Sequence, residues 1–510
     1  MNPPRHPARA VGYAAVLASA AVLAGAAVLA VGCSSSTAAP ASSGGAKTAE
    51  SRPACRGTLG FEAVPLTKSV RARLKLPADA AGVVVVSVLP GGPAEAAGLR
   101  TDDVVGKIGA DAIQNDCDWS RAAFGRACEP VTLAVVRGEQ RLELTVAAVD
   151  ENRLLGDACH GGNSTACFRT GWLLWSRDRG DGHALEIFED ACKSGSADAC
   201  AYAGLQLSLS SERGSEAPAL LERSCELGSG AGCAHLGFLY ATSASAAASP
   251  VPKDDRRAAQ LYAKSCALGD AQGCYNAGLM ADEGRGLRQD ASKAAAAYDE
   301  ACELGSSMAC TNLGFLYEHG KGVKADRPRA FALYRRGCEG STCQPSNLGG
   351  CVNVGRAYRD GIGVDKDEAK AASVFQDACD RKTDDRDVHS AENRARACSL
   401  LGALYLAGDG IPKNLERGRE MTELGCDRGD SFGCFNAATI YANGTGIAAD
   451  AAQAADFFEK ACDLGDGEGC SDLAAAYEKG AGVKRDKKRA AELRKKACEL
   501  GFTAACPKKK

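Results

Sequence analysis

Cysteine pairs recur along this chain at a nearly constant spacing, which constrains the fold more than any other feature. In eight pairs the second cysteine follows the first by eight residues, and successive pairs begin about every 36 residues. Two more pairs fit the same spacing once insertions of five and eleven residues are removed. The ten pairs are Cys159/Cys167, Cys192/Cys200, Cys225/Cys233, Cys266/Cys274, Cys302/Cys310, Cys338/Cys351, Cys379/Cys398, Cys426/Cys434, Cys462/Cys470 and Cys498/Cys506. The period predicts an array of similar units rather than one globular core.

Residues 1–33 have the composition of an export signal. Arg5 and Arg9 precede an almost entirely apolar run over residues 10–32, which ends at Cys33. The stretch LAVGC resembles a bacterial lipobox, which implies cleavage before Cys33 and a lipid on its thiol. The alternative is an uncleaved anchor helix, since the run is long enough to span a bilayer. Both predict an exported protein of the bacterial cell envelope, held at a membrane and facing the periplasm or the cell surface.

Export determines how the 25 cysteines are interpreted. Outside a reducing cytosol, paired cysteines predict disulfides rather than metal sites. With Cys33 assigned to a lipid, 24 cysteines remain, and an even number permits complete pairing. Zinc sites favour two to four residues between ligands with histidines nearby, whereas these intervals are longer and the six histidines are scattered. We therefore predict no bound metal and no cofactor.

Residues 34–54 are small and polar and predict a flexible linker, after which residues 55–150 change in character. Three β-branched or apolar runs, 83–88, 131–136 and 142–146, predict strands. The segment GVVVVSVLPGGPAEAAGLRTDDVVGKIGADAI resembles a PDZ domain of the type appended to HtrA proteases, and the likeness covers residues 55–150. Asp102 stands where such domains usually have glycine.

The PDZ resemblance implies binding of an extended peptide, which adds a strand to an open sheet edge while its terminal carboxylate sits on backbone N–H groups. The matching loop is Leu59-Gly60-Phe61, in which Gly60 allows a turn that points several N–H groups at one anion. A helix over residues 118–127 would face the groove. Its candidate pocket residues are Trp119, Ala123 and Phe124; the alternative is that the aromatic residues, Phe61 included, fill the core. Too few residues precede the domain for a protease, so we expect a recognition module.

From residue 151 to 510 each unit contains two stretches of helical periodicity, as in CTNLGFLYEHGKGVKADRPRAFALYRRGCEG. A Gly-x-Gly turn separates the two stretches, and Leu-Gly follows the second. The units resemble Sel-like repeats, and the paired cysteines make the chain similar to the Helicobacter cysteine-rich protein family. The predicted fold class is mainly α: a disulfide-stapled α/α solenoid of about nine helix pairs, preceded by a small β-rich PDZ domain. The Gly-x-Gly turns are Gly284/Gly286, Gly320/Gly322, Gly361/Gly363, Gly408/Gly410, Gly444/Gly446 and Gly480/Gly482.

The eight-residue interval also predicts where the bridges lie. On one continuous helix it spans about 12 Å, whereas bridged Cα atoms lie within about 7 Å. Each bridge therefore requires a chain reversal, with one cysteine on the last turn of a helix and the other on the first turn of the next. Four cysteines remain to be placed: if 118–127 is helical, Cys55 pairs with Cys117 or Cys128, and the other is left for Cys343 or stays free.

The function predicted from these features is an exported, lipid-anchored, non-catalytic scaffold. The PDZ domain would bind protein C-termini or strands, and the concave face of the solenoid a second protein. Five tyrosines recur at one place in successive repeats and would line that face or, alternatively, pack in the core: Tyr317, Tyr358, Tyr405, Tyr441 and Tyr477. The formal net charge of −3 offers no basic footprint for nucleic acid.

Two other functions remain open at this point. The resemblance to cysteine-rich relatives implies a β-lactam-binding protein or weak β-lactamase-type hydrolase. The chain contains neither a Ser-x-x-Lys nor a His-Glu-x-x-His motif, so the usual machinery of such enzymes is not present in the sequence. The other alternative is a regulatory subunit of a periplasmic protease.

Overall fold

The computed structural model describes the chain from residue 57 to residue 506 with gaps. The described residues are 57–66, 68–76, 80–89, 91–113, 130–147, 149–150, 155, 159, 162–177, 182–242, 251–340, 347–381 and 388–506. They divide into two compact units, residues 57–309 with Gly340, and residues 310–339 with 347–506. The export signal, the linker, the helix predicted at 118–127 and the cysteines Cys33, Cys55, Cys117, Cys128 and Cys343 lie outside the described residues.

The N-terminal part of the first unit is an antiparallel sheet with the strand order β2-β3-β4-β6-β7. All three predicted strands are present, and the turn after Arg137 joins β6 to β7. Valine, isoleucine and leucine from β3, β4 and β6 form its buried core. The elements are β1 (Gly57–Thr58), β2 (Phe61–Pro65), α1 (Lys68–Arg73), β3 (Val83–Val88), α2 (Pro93–Ala96), β4 (Val104–Ile108), β5 (Asp111–Ala112), β6 (Pro130–Arg137), β7 (Gln140–Ala147) and β8 (Val149–Asp150).

The rest of the described chain is helical and consists of nine consecutive helix pairs, which agrees with the predicted mainly α class. Aspartate, asparagine or serine caps most helix starts; Asp466, for example, accepts a hydrogen bond from the Gly469 N–H at 2.7 Å. The helices are α3 (Ser164–Arg177), α4 (Gly182–Lys193), α5 (Ala197–Ser208), α6 (Ala217–Glu226), α7 (Gly230–Thr242), α8 (Asp255–Ala267), α9 (Ala271–Glu283), α10 (Ala291–Glu303), α11 (Ser307–His319), α12 (Arg327–Glu339), α13 (Leu348–Asp360), α14 (Glu368–Asp380), α15 (Val388–Ala407), α16 (Leu415–Asp427), α17 (Ser431–Asn443), α18 (Ala451–Asp463), α19 (Gly467–Lys479) and α20 (Lys487–Glu499).

Disulfides span the chain reversals between successive helix pairs. Cys462 lies in the last turn of α18 and is bridged to Cys470 near the start of α19. Cys302 is itself disulfide-bonded, and so is Cys310. In nine bridges of the described chain the Cα atoms are 4.3–4.9 Å apart: Cys159–Cys167, Cys192–Cys200, Cys225–Cys233, Cys266–Cys274, Cys338–Cys351, Cys379–Cys398, Cys426–Cys434, Cys462–Cys470 and Cys498–Cys506.

At most bridges the second cysteine lies at the end of the first helical turn, which agrees with the predicted placement. At most bridges this cysteine is the fourth residue of its helix, where a turn of 3.6 residues is already complete. Its N–H is the first that bonds back to the N-cap carbonyl, as the Cys200 N–H does to Ser196 at 3.1 Å. The second cysteine of the bridge is therefore a residue whose N–H is already hydrogen-bonded within the helix. Cysteines at this fourth position include Cys167, Cys200, Cys274 and Cys351.

The last bridge differs from the others, because Cys506 lies beyond the nine helix pairs and is not on an α-helix. It follows a short 3₁₀ turn, Thr503–Ala505, and has the extended backbone angles φ −71° and ψ 141°. Its N–H donates to the carbonyl oxygen of Thr503 at 3.1 Å. The bridge to Cys498 nevertheless keeps a Cα separation of 4.9 Å. The chain reversal alone is therefore sufficient for the bridge, and a following helix is not required.

A departure from the predicted first-turn position occurs where the sequence carries an insertion. Cys398 lies in the interior of α15, a helix of 20 residues, and not on a first turn. Part of the eleven-residue insertion extends this helix toward its N-terminus, while the bridge to Cys379 keeps a Cα separation of 4.9 Å. The insertion therefore lies on the N-terminal side of Cys398, and the bridge between α14 and α15 is retained.

In each of the nine helix pairs a buried small residue occurs four positions after the cysteine of the first helix and allows the two helices to approach closely. In seven pairs it is glycine, and a Cβ built there would lie 2.3–3.1 Å from the facing side chain of the second helix. At Gly355 that side chain is the fully buried Phe375. The seven glycines are Gly171, Gly204, Gly237, Gly278, Gly314, Gly355 and Gly402; the last two pairs have Ala438 and Ala474.

The two glycines of a Gly-x-Gly turn have different structural roles. The first ends the first helix in the left-handed region, as Gly480 does after α19 with φ +74°. The second contacts the preceding helix pair: a Cβ on Gly482 would lie 1.9 Å from the carbonyl oxygen of Ala451, at the start of α18. Gly286, Gly363 and Gly410 make equivalent contacts. The turn therefore sets the spacing between neighbouring pairs.

The close contact at Gly355 predicts a reversal of the usual effect of replacing a helical glycine by alanine. Such a change normally stabilises a helix by about 0.5–1 kcal/mol. Gly355→Ala should instead destabilise the protein by about 1–3 kcal/mol, because the new methyl group overlaps the Phe375 ring. Thermal unfolding of the oxidised protein measures the effect, and adding Phe375→Leu should recover part of the loss; a Gly355→Ala variant more stable than wild type would contradict the contact.

The two glycines of the last turn give a matched pair of substitutions. Gly480 and Gly482 both have left-handed backbone angles, which asparagine tolerates. A Cβ at Gly480 meets nothing closer than 3.5 Å, whereas one at Gly482 overlaps a backbone carbonyl. Gly482→Asn should therefore lower the melting temperature clearly more than Gly480→Asn. Equal effects would show that the second glycine serves only the turn.

Candidate functional site

The predicted carboxylate-binding loop lies at an edge of the N-terminal sheet. Leu59 and Gly60 immediately precede β2, and among the described strands β2 pairs with β3 alone. The register between the two strands shifts between Glu62 and Ala63, whose partners are Ser87 and Val85, so β3 contains a bulge at Val86. The sequence-derived loop is thus placed beside a sheet edge, the position that strand addition requires.

The turn at Gly60 is held by specific contacts. Gly60 has φ +74°, and a Cβ there would lie 2.9 Å from Cδ of Pro93, the first residue of α2. Its carbonyl oxygen accepts a hydrogen bond from the N–H of Leu89 at 2.9 Å. The Leu59 and Phe61 side chains are each only 5% exposed and belong to the sheet core. These two side chains therefore hold the loop in place and are not available to a ligand.

A buried ion pair joins the end of β6 to the turn that precedes β4. The Asp103 carboxylate is fully buried and accepts two hydrogen bonds of 2.7 Å from Arg137, while the Arg100 N–H donates to it at 2.8 Å. Asp102 adopts φ +67°, a left-handed angle that aspartate tolerates better than most residues. Arg73 donates to its carboxylate at 3.0 Å. The turn therefore forms although glycine is absent.

The five recurring tyrosines lie where the first helix of a pair ends. Each tyrosine carbonyl accepts a hydrogen bond from the N-cap N–H of the second helix, as Tyr317 does from Asp326 at 2.9 Å. The rings are partly buried against the helix cores. The Arg329 guanidinium lies 4.3 Å from the centre of the Tyr317 ring, and Lys370 and Arg417 cover Tyr358 and Tyr405 in the same way. These contacts favour the packing interpretation of the column.

One buried titratable residue was not singled out by the sequence analysis. His235 lies in α7 with 8% of its surface exposed, and burial lowers the pKa of its imidazole to about 4. It stands two positions after Cys233, where four other pairs have asparagine: Asn276, Asn312, Asn353 and Asn436. That positional comparison was the signal that would have found it. A neutral buried imidazole at this place is a structural group whose stability contribution depends on pH.

No cluster of three or more histidine, cysteine, aspartate or glutamate side chains suited to a metal ion occurs among the described residues. The helices within the described ranges are all too short or too polar to cross a bilayer.

Two family models match the chain. The PDZ domain model matches residues 57–148, and the Sel1 repeat model matches residues 231–270, 271–306, 307–341, 349–381, 395–430, 431–466 and 467–502. The chain therefore belongs to the Sel1-repeat proteins and carries an N-terminal PDZ domain. Both modules are typical of protein–protein interaction, and together they support a scaffold function. No curated protein matches the chain.

Solved structures resemble each part separately. A Sel1 repeat protein from Oxalobacter formigenes is 19% identical over 64% of this chain and 89% of that chain, with a TM-score of 0.47. The Helicobacter pylori cysteine rich protein B is 29% identical, covers 24% of this chain and 96% of that chain, and gives a TM-score of 0.21. The HtrA-type protease AlgW with decapeptide is 33% identical over 19% of this chain and 29% of that chain, with a TM-score of 0.17.

The buried imidazole predicts a specific loss of stability in mild acid. Above a pH of about 6.5 the His235 imidazole is neutral in both the folded and the unfolded protein. Between about pH 6.5 and pH 4 it is protonated in the unfolded chain and stays neutral in the folded protein. Between pH 7.5 and 5.0 this group should remove about 2 kcal/mol of stability. His235→Asn introduces the residue of the sister repeats, and chemical unfolding at both pH values should show a smaller loss for the variant. Equal losses in both proteins would contradict the assignment.

Proposed function

We propose that this chain is an exported, lipid-anchored adaptor that holds two proteins together. The PDZ domain captures the C-terminus or an extended strand of one protein, and the Sel1 repeats bind another. The observation that carries the proposal is the Gly60 turn beside the edge strand β2. Export and a lipid on Cys33 are proposed from the N-terminal sequence alone.

The length of β2 limits what the PDZ domain can recognise. A peptide that pairs with β2 would extend the antiparallel sheet by one strand. β2 ends at Pro65, which has no N–H to donate to a ladder. The pairing therefore involves about four ligand residues, those opposite 61–64, with the terminal carboxylate at the Gly60 turn.

Selectivity for the ligand side chains must come from outside the loop. The Leu59 and Phe61 side chains pack in the sheet core, so neither lines a pocket for the ligand's side chains. The remaining wall is assigned to the predicted helix at 118–127, with Trp119, Ala123 and Phe124 as its pocket residues.

An exposed aromatic residue supports a second binding surface on the repeats. Phe315 on α11 is 40% exposed, its ring centre lies 4.2 Å from that of His319, and Lys321 lies 4.7 Å from it. Aromatic residues are enriched in protein–protein interfaces relative to the rest of the protein surface. Among the described residues, no comparable contact favours the hydrolase or the protease-subunit alternative.

The test of the PDZ assignment is recognition of a free carboxylate. C-terminal peptides selected on the oxidised full chain should bind at least about tenfold more weakly when amidated, because charge-assisted hydrogen bonds to the loop are lost. Gly60→Ala should weaken binding to a similar extent, since the new methyl group meets Pro93. Fluorescence anisotropy with labelled peptides measures both effects.

Gly98→Ala is the matched control for backbone strain. Gly98 has φ +83° in the same domain, and a Cβ there would meet nothing within 4 Å. This variant should bind like wild type. Equal affinity for free and amidated peptides would exclude carboxylate recognition, and saturable turnover of nitrocefin by the purified protein would contradict a non-catalytic scaffold.

A further inference from the structure

The turn between α19 and α20, the two helices of the last pair, carries a cluster of exposed cations. Five side chains at the end of α19 and the start of α20 are exposed and form no ion pair within the part of the chain that the structure describes. Other cations of α20 are neutralised: Arg494 by Glu478 at 2.7 Å and Lys496 by Asp463 at 3.0 Å. The unpaired five, here called the basic turn, are Lys479, Lys484, Arg485, Lys487 and Lys488.

The fold brings the basic turn together. The Asp486 N–H donates to the carbonyl oxygen of Tyr477 at 3.0 Å, which returns the chain to the end of α19. A Cβ on Gly480 would lie 3.5 Å from the Cβ of Arg485, so this arginine lies beside the glycine that follows Lys479. Two further lysines occupy the first turn of α20, which contains no acidic residue and where the helix dipole is already positive.

Neither the turn nor the helix cap requires this charge. The preceding pair has an equivalent turn 36 residues earlier, with asparagine in place of Lys479 and four alanines in place of the other cations. Its cap, Asp450, accepts hydrogen bonds from the first turn of α18 just as Asp486 does in α20. The replacing residues are Asn443, Ala448, Ala449, Ala451 and Ala452.

Another turn shows that cations are tolerated when they are paired. Around α14, Lys370 contacts Asp367 at 3.0 Å and Lys366 contacts Glu368. Arg359 is paired with the adjacent Asp360 at 2.7 Å. The absence of such partners therefore distinguishes the basic turn from the turn before α14, and its charge is available to an outside group.

We propose that the basic turn is an electrostatic docking surface for an anionic phospholipid bilayer. Four of its five residues are lysines, which are flexible point charges suited to a plane of mobile headgroups, whereas planar bidentate recognition of one anion favours arginine. Single-stranded nucleic acid would need exposed aromatic stacking, and Tyr477 is partly buried against the core. This surface acts independently of the PDZ domain and of any lipid on Cys33.

The sister repeat supplies the test variant. Lys484→Ala, Arg485→Ala, Lys487→Ala and Lys488→Ala together restore the residues of the preceding pair, so the fold should be kept. The oxidised full chain is mixed with vesicles of phosphatidylcholine or of an equal mixture of phosphatidylcholine and phosphatidylglycerol, and the bound fraction is measured by sedimentation. Wild type should bind the mixed vesicles at least about tenfold more tightly than the neutral ones, and the variant should lose this preference.

Three outcomes separate the proposal from its competitors. The apolar N-terminal run could bind both kinds of vesicle, so only the preference for phosphatidylglycerol is scored. Replacing the three lysines among these four positions by arginine should keep the preference, and raising the salt concentration should weaken it. An equal preference in wild type and alanine variant would overturn the proposal, as would charge-dependent binding to RNA without any preference for anionic vesicles.

Discussion

The disulfide across each reversal between helix pairs is the constraint on which the array depends. Aromatic residues make up 5% of the chain, and the cores of the last pairs consist largely of alanine and cysteine. Small side chains bury little apolar area, so each interface gains less from the hydrophobic effect than a leucine-rich one would. A bridge at each junction restricts the unfolded chain and supplies about 2–3 kcal/mol that packing alone would have to provide.

Small residues also allow close contacts between helices, both within a helix pair and between neighbouring pairs. Gly355 lets α13 approach Phe375, and Gly482 lets the last turn approach Ala451. One contact lies within a helix pair and the other between pairs. Together with the bridges they define three kinds of fixed point per repeat, which explains how helices of only 13 residues keep a regular arrangement.

Most of this architecture was predictable because its signals are local and periodic. The strands, the helix pairs and the turns follow from residue type and spacing, and the fold class predicted from them is confirmed by the two family matches. The interior position of Cys398 was not predictable, since the sequence does not say whether an insertion loops out or extends a helix. The extended backbone at Cys506 was missed because its spacing from Cys498 is the same as in bridges that lead into a helix. The tasks of Gly355 and Gly482 were also hidden, because a glycine that faces a ring looks the same as one that ends a helix.

The PDZ loop illustrates the same limit at the candidate site. Its position beside β2 agrees with the resemblance, but only the three-dimensional structure shows that Leu59 and Phe61 serve the core. Burial is a property of the sheet as a whole, and the pattern of one loop does not contain it.

The placement of the bridges has a consequence for how the array would survive proteolysis. A cut between Cys462 and Cys470 leaves the two halves covalently joined, since the bridge spans the loop. A cut at Gly444–Gly446 is not spanned by any bridge of the described chain, because the neighbouring bridges end at Cys434 and begin again at Cys462. The molecule is thus protected against nicking at every second connection, and its covalent integrity rests on the short turns within the pairs.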